Sequence, residues 1–142
     1  MQVKEVVPFL AVKDMKESIA FYVDGLGFEF RHKWEVGGEI RWCQLKIDQA
    51  GLMLQQFATE GHDARVFSEN KGEGVTLCFF PEDAVGFYRA VTERGIKASE
   101  PVVSNGLWTT HLSDPDGYQL LFESPTDAPE GTRMSVTVSP SL

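Results

Sequence analysis

The sequence predicts an α+β protein made of two copies of a βαβββ module, which together form a curved, cupped mixed sheet with the helices on the outside. Three observations carry this expectation. Strand-like and helix-like runs follow the order strand, helix, strand, strand, strand, and then that order again. Residue pairs recur at a constant spacing: Phe21-Tyr22 matches Phe87-Tyr88, and Leu54-Gln55 matches Leu120-Leu121, both 66 positions apart. A polar stretch separates the copies. One supersecondary unit used twice leaves such a pattern, because neither copy buries its concave face alone.

The elements follow in chain order. Val6 to Val12 is apolar and β-branched, a strand with Pro8 near its start. Asp14 is placed to cap a helix, and Glu17 three positions on completes a capping box. Met15, Ile19, Tyr22, Val23 and Leu26 then recur at helical spacing, and Gly25 and Gly27 end the run. Phe28 to Trp34, Glu39 to Ile47 and Leu52 to Phe57 read as strands, the first two joined by a turn at Gly37-Gly38. The second copy runs from a strand at Gly74 to Phe80 into a helix carrying Ala84, Phe87, Tyr88 and Val91, closed by Gly95. Strands at Ile96 to Ser99, Leu107 to Leu112 and Tyr118 to Glu123 follow, with a turn at Asp114-Pro115-Asp116-Gly117 before the last. The expected organisation is a first module over 1–58, a linker over 59–73, a second module over 74–125 and an irregular tail over 126–142. A short strand at Met134 to Val138 is the alternative for the tail.

Bulk properties narrow the partners. The chain has 142 residues and a formal net charge of −8, which disfavours nucleic acid. An acidic excess gathered near a pocket suits a cationic ligand, although a solvated surface accounts for it more simply. No apolar run approaches the roughly 18 residues of a membrane span, and the N-terminus lacks a signal-peptide layout, so a cytoplasmic location is expected. Cys43 and Cys78 each sit in a strand-like run and read as two buried free thiols.

The stretch from Val7 to Asp14, then Ser18-Ile19-Ala20-Phe21-Tyr22 and Leu26-Gly27-Phe28, resembles the opening of the vicinal oxygen chelate superfamily. That superfamily spans glyoxalase I, extradiol dioxygenases, fosfomycin-resistance enzymes and bleomycin-resistance proteins. Leu112 to Tyr118 resembles its closing signature. The resemblance is specific for the fold and leaves the function open, since this fold hosts many chemistries. It implies four strand positions that hold a divalent metal in the enzymes, usually two histidines and one or two glutamates. Here those positions fall on Val7, Gln55 (with Gln56 as the register alternative), Val75 and Leu121. Hydrocarbon side chains donate no lone pair and a neutral amide is a poor ligand for Zn, Ni or Fe. The expectation is therefore no metal and no cofactor. His32, His62 and His111 are too dispersed for a metal motif, and only His111 is a candidate for the pocket.

With no metal, the concave face becomes a lined cleft. Strand alternation puts Val7 and Phe9 on one face in the first module, and Val75 and Leu77 on one face in the second. Met53 and Gln55 pair in this reading with Gln119 and Leu121, and Trp42 and Trp108 lie on the strands between. An aromatic and apolar wall with two amides suits a planar organic molecule. No Gly-x-Ser-x-Gly elbow, phosphate loop or dinucleotide fingerprint occurs. Glu29, Glu35 and Glu123 are acid–base candidates on generic grounds only. The resemblance is closest to the bleomycin-resistance type, so the leading expectation is a homodimeric small-molecule-binding protein. It would sequester an organic, aromatic, drug-like ligand, as in antibiotic resistance, without altering it. A glyoxalase-like lyase or isomerase, and a dimerisation domain with a vestigial site, are the alternatives.

Overall fold

The computed structural model describes residues 1–58, 60–62 and 64–137, with the backbone alone at 136 and 137. The chain divides into two compact units, Met1–Glu69 and Asn70–Leu142. The division falls inside residues 59–73, two of which, Thr59 and Asp63, lie outside the described residues. Each unit is a βαβββ module, and the fold is α+β.

In the first module β1 (Phe9–Val12) is followed by α1 (Met15–Ile19), β2 (Glu29–Val36), β3 (Glu39–Ile47) and β4 (Ala50–Gln56). The sheet order is β1-β4-β3-β2, with β1 and β4 parallel and the rest antiparallel. The Asp14 carboxylate accepts from the Lys16 and Glu17 amides and starts α1. The helix then loosens into a π-helical stretch, Ala20–Gly25, so Gly25 lies inside it and only Gly27, with φ +92°, ends it. Met15, Ser18 and Tyr22 face the sheet and are buried, over Leu52, Leu54, Cys43 and Leu45. The Gln56 side-chain Oε1 accepts from the Met15 backbone amide at 2.7 Å, tying the end of β4 to the start of α1.

In the second module β5 (Thr76–Phe79) is followed by α2 (Ala84–Glu93), β6 (Val102–Ser104), β7 (Leu107–Ser113) and β8 (Gln119–Pro125), in sheet order β5-β8-β7-β6. Phe122 is the centre of its core. It stacks on Phe87 of α2 at 3.9 Å and on Phe79 of β5 at 4.8 Å. Asp83 caps α2 through the Gly86 amide, and Ser124 Oγ accepts from the Ala84 amide. The Asp114 carboxylate accepts from the amides of Asp116 and Tyr118, which closes the turn with Gly117 at φ +90°. Lys71 reaches the buried Asp116 at 2.9 Å. Gly72 beside it, at φ +77°, lies so close under the Tyr118 ring that a Cβ would meet it at 2.6 Å.

Three expectations need correction. The strand placed at Ile96 to Ser99 is instead Val102–Ser104. Ser99 does bond β7 through its amide, but its hydroxyl takes the place of a carbonyl for the His111 amide, which interrupts a ladder there. Helices correspond by their caps, not by the 66-residue spacing. Met15, Ser18 and Tyr22 stand at the same steps from Asp14 as Ala84, Phe87 and Val91 from Asp83. Cys78 is exposed, and only Cys43 is buried. The tail follows the β6 edge, where Val103 bonds to Thr132 and Gly131, and Met134–Thr137 is a helical turn; Val138 lies outside the described residues.

Candidate functional site: the open sheet faces

Each sheet has one face under its helix and one open face, and the register decides which residues share each. In the first module Trp42 opposes Gln55, and Gln44 opposes Met53. Phe9 and Ala11 stand level with Met53 and Gln55 on the parallel side. The alternate set, Cys43 with Leu54 and Leu45 with Leu52, turns to the helix, where Cys43 Sγ lies 4.0 Å from Met15 Sδ. Phe9, Trp42, Met53 and Gln55, expected at the site, therefore do share the open face. Gln56 turns the other way, to its bond with α1.

Two residues that the sequence reading passed over join this face. Trp34 of β2 stands directly opposite Trp42, and His32 opposite Gln44. Two bulges make this possible. Arg41 is skipped between the pairs Trp34–Trp42 and Glu35–Ile40, and Arg31 between His32–Gln44 and Phe30–Leu45. Each bulge shifts the pairing by one residue, and the second shift cancels the first. Only the segment between them is re-aimed, and it brings the two indoles to one face. Trp34 is 56% exposed, and Phe9 is 52% exposed.

The open face of the second module is different. His111 opposes Leu121, Ser113 opposes Gln119 and Thr109 opposes Glu123, with Thr76 and Cys78 level with Gln119 and Leu121. The Gln119 amide donates to Ser113 Oγ at 2.8 Å and to the Gly117 carbonyl. His111, Gln119 and Leu121 thus share the open face. Leu77 and Trp108 do not. Leu77 is level with the buried Leu120, and Trp108 opposes Ser124, whose hydroxyl bonds to the start of α2. Alternation was sound for β5, but the parity was reversed: Phe79, in step with Leu77, stacks under α2. Val7 and Val75 each precede the first strand of their module.

The chain matches the glyoxalase/bleomycin resistance protein/dioxygenase superfamily over residues 3–122. It belongs to that superfamily. Among solved structures, TioX from Micromonospora sp. ML1 is similar with a TM-score of 0.70 and 17% identity, covering 87% of this chain and 100% of that one. A bleomycin-binding protein complexed with bleomycin gives 0.62 and 22%, with 87% and 100% covered. TnmS3, an antibiotic binding protein from Streptomyces sp. CB03234, gives 0.61 and 19%, with 89% and 100% covered. At these identities the likeness establishes the fold. No curated protein matches the chain.

The superfamily's metal can now be tested against the side chains present. Val7 stands seven residues before its helix cap, Asp14, and the same step back from Asp83 reaches Thr76, not Val75. Leu121 pairs with Cys78, two residues past Thr76; two past Val7 is Phe9, which pairs with Met53, not Gln55. The corrected set is Val7, Met53, Thr76 and Leu121. Two hydrocarbons, a thioether and a hydroxyl do not fit a catalytic divalent ion. Among the described residues, no group of three or more His, Cys, Asp or Glu is placed to hold a metal. No helix among them is long and apolar enough to cross a membrane.

Proposed function

We propose that this protein binds a small aromatic organic ligand without transforming it, and that the first module's open face supplies the stacking wall. The observation that carries this is the Trp34–Trp42 pair, brought to one face by two opposed bulges, with Gln55 and Ala11 in the same row across the sheet and Met53 and Phe9 in the next row of that face. Indoles that a soluble protein leaves accessible on a sheet supply flat area at low entropic cost. The donor set at the superfamily's metal positions argues against metal-assisted chemistry. The descriptions of two similar folds as antibiotic- and bleomycin-binding support the same reading.

In this proposal Phe9, Trp34, Trp42, Met53 and Gln55 form the apolar wall. His111, Gln119 and Leu121, with Thr76, form the open face of the second module taken by itself, and Val7 and Val75 each precede the first strand of their own module. Leu77 and Trp108 contribute through packing alone. In the same proposal the protein is a cytoplasmic homodimer that sequesters a drug-like compound, and the exposed Val75 and Phe80 are the side chains that call for cover by a second copy.

The experiment is a thermal-shift screen of aromatic natural products on the wild type and on Trp42→Ala. A ligand that binds the native state raises Tm. The expected result is at least one hit whose shift shrinks in Trp42→Ala. Hits that persist undiminished in both Trp42→Ala and Trp34→Ala would overturn the assignment of the site. Light scattering at tens of micromolar should give twice the chain mass. Elemental analysis showing about one Zn, Ni, Mn or Fe per chain after mild chelation would refute the metal-free reading.

A further inference from the structure

The helix side of the first module holds a cavity that the open face does not use. It has a volume of about 520 Å³ and lies between the start of α1 and the β2–β3 turn. Lys13, Asp14 and Lys16 line it from one side, and Glu39 and Arg41 from the other. All of them belong to the first unit. The bulge that sets Trp34 opposite Trp42 leaves Arg41 without a pairing partner on β2, and Arg41 stands in the wall of this cavity.

The wall carries three cations and two carboxylates, a local excess of one positive charge in a chain of net charge −8. One carboxylate is already engaged, since Asp14 Oδ1 accepts from the Lys16 and Glu17 amides. Among the described residues, neither Lys16 nor Arg41 enters an ion pair. Arg41 is half-buried, so its charge is screened less than that of a fully exposed arginine. A guanidinium presents parallel N–H donors that match the two oxygens of a carboxylate. A second negative charge on the ligand would exceed the local excess and face Asp14 and Glu39. Ile19 and Ile40, both half-buried, give the same cavity an apolar part. Its volume lies within the roughly 300–1,000 Å³ of small-molecule sites.

We propose that this cavity is a second binding site, independent of the aromatic face, and that it takes an amphipathic monoanion: a carboxylate on a short apolar chain. The carboxylate pairs with Arg41, Lys16 adds attraction, and the chain lies along Ile19 and Ile40. The chain as a whole is acidic, so only close contact in the cavity favours an anion.

The test uses three probes with one hydrocarbon chain, octanoate, octanol and octylammonium, in amide NMR titrations of the full chain. Octanoate should bind about tenfold more tightly than octanol, as a charge-assisted contact predicts. Its shifts should gather at the amides of Met15, Lys16, Ile19 and Gly38. Arg41→Gln should bring octanoate down to the affinity of octanol and leave octanol unchanged. Arg41→Lys, which keeps the charge and loses the fork, should fall between. Arg31→Gln removes the same charge at the other bulge and should change nothing. If Arg41→Gln does not fold, the exposed Lys16→Gln should still weaken octanoate by about threefold and spare octanol. Equal affinities for octanoate and octanol would overturn the proposal. Tighter binding of octylammonium would also overturn it, because Asp14 and Glu39 would then set the sign of the site. An equal loss in Arg31→Gln would mean that only net charge matters. Shifts gathered instead at His32, Gln44 and Met53 would place the anion on the open face and refute the second site. So would the absence of any shift with octanoate below its micelle concentration.

Discussion

The two modules follow the same path and present different chemistry on their open faces, aromatic in the first and mostly polar in the second. The first offers Phe9, Trp34, Trp42 and Met53 with the amides of Gln44 and Gln55. The second offers Thr76, Thr109, His111, Ser113, Gln119 and Glu123, with Cys78 and Leu121 among them and, within the ladder, no aromatic ring other than the imidazole. Beneath the helices they also differ. Ser18 and Tyr22 in one stand where Phe87 and Val91 stand in the other, so the large ring enters the core at a different turn of the helix. The ladder, the aspartate cap and the sheet order are what the two modules have in common. Backbone hydrogen bonding constrains those features, whereas each exposed face is free to diverge, and function resides on the faces.

The largest effect expected from breaking this comparison is in the second core. Phe122→Ala removes the ring stacked between Phe79 and Phe87 and should cost about 3–5 kcal/mol in urea unfolding. A cost below about 1 kcal/mol would show that the stack is not the centre of that core.

The cysteines sharpen the contrast through pH. Burial pushes the Cys43 thiol up from 9.0 to about 11, against a smaller opposing effect of a backbone hydrogen bond at Leu54. The folded state therefore keeps the thiol neutral at pH values where the unfolded chain ionises it. The resulting stability is full below about pH 9 and is lost as pH rises through about 11, a change of about 2–3 kcal/mol. Cys43→Ala should flatten the alkaline limb of the stability curve, and an unchanged limb would refute the assignment. Cys78, exposed on β5, should react with a thiol reagent in the native protein while Cys43 stays protected.

The tryptophans come next in size. Trp42→Ala should weaken a confirmed aromatic ligand by about 1–3 kcal/mol. Trp108→Ala should leave that affinity unchanged and lower Tm instead, because Trp108 lies on the face under α2. Titrations that reverse these two results would reverse the faces assigned to the sheets. The smallest effect is at the caps. Asp14→Ala and Asp83→Ala should each cost about 1 kcal/mol, with Asp14 the larger because it accepts from two amides and Asp83 from one. Paired thermal melts would decide the order.

Much of this protein was legible in the sequence because its signals are local. The caps at Asp14 and Asp83, the β3 limits, and the Asp114 to Gly117 turn each depend on residues a few positions apart. The repeat gave the order of elements, although the matching Phe-Tyr pairs misled, since the helices correspond by cap and not by composition. Four of the residues expected at the first module's site share its open face, because alternation along β1, β3 and β4 is unbroken there.

What the sequence by itself determined is the fold class and the order of elements. What only the tertiary structure decided is which side of each strand is open. Alternation names two sets of residues but not which set the helix covers, and so Leu77 and Trp108 moved to the covered side. Counting outward from Gly37-Gly38 would set Trp34 against Arg41, on the wrong face. The bulge at Arg41 slips the pairing by one and sets Trp34 against Trp42. A slip of one residue inverts the side chains up to the compensating bulge at Arg31, and it is decided by strand pairing that no local signal encodes.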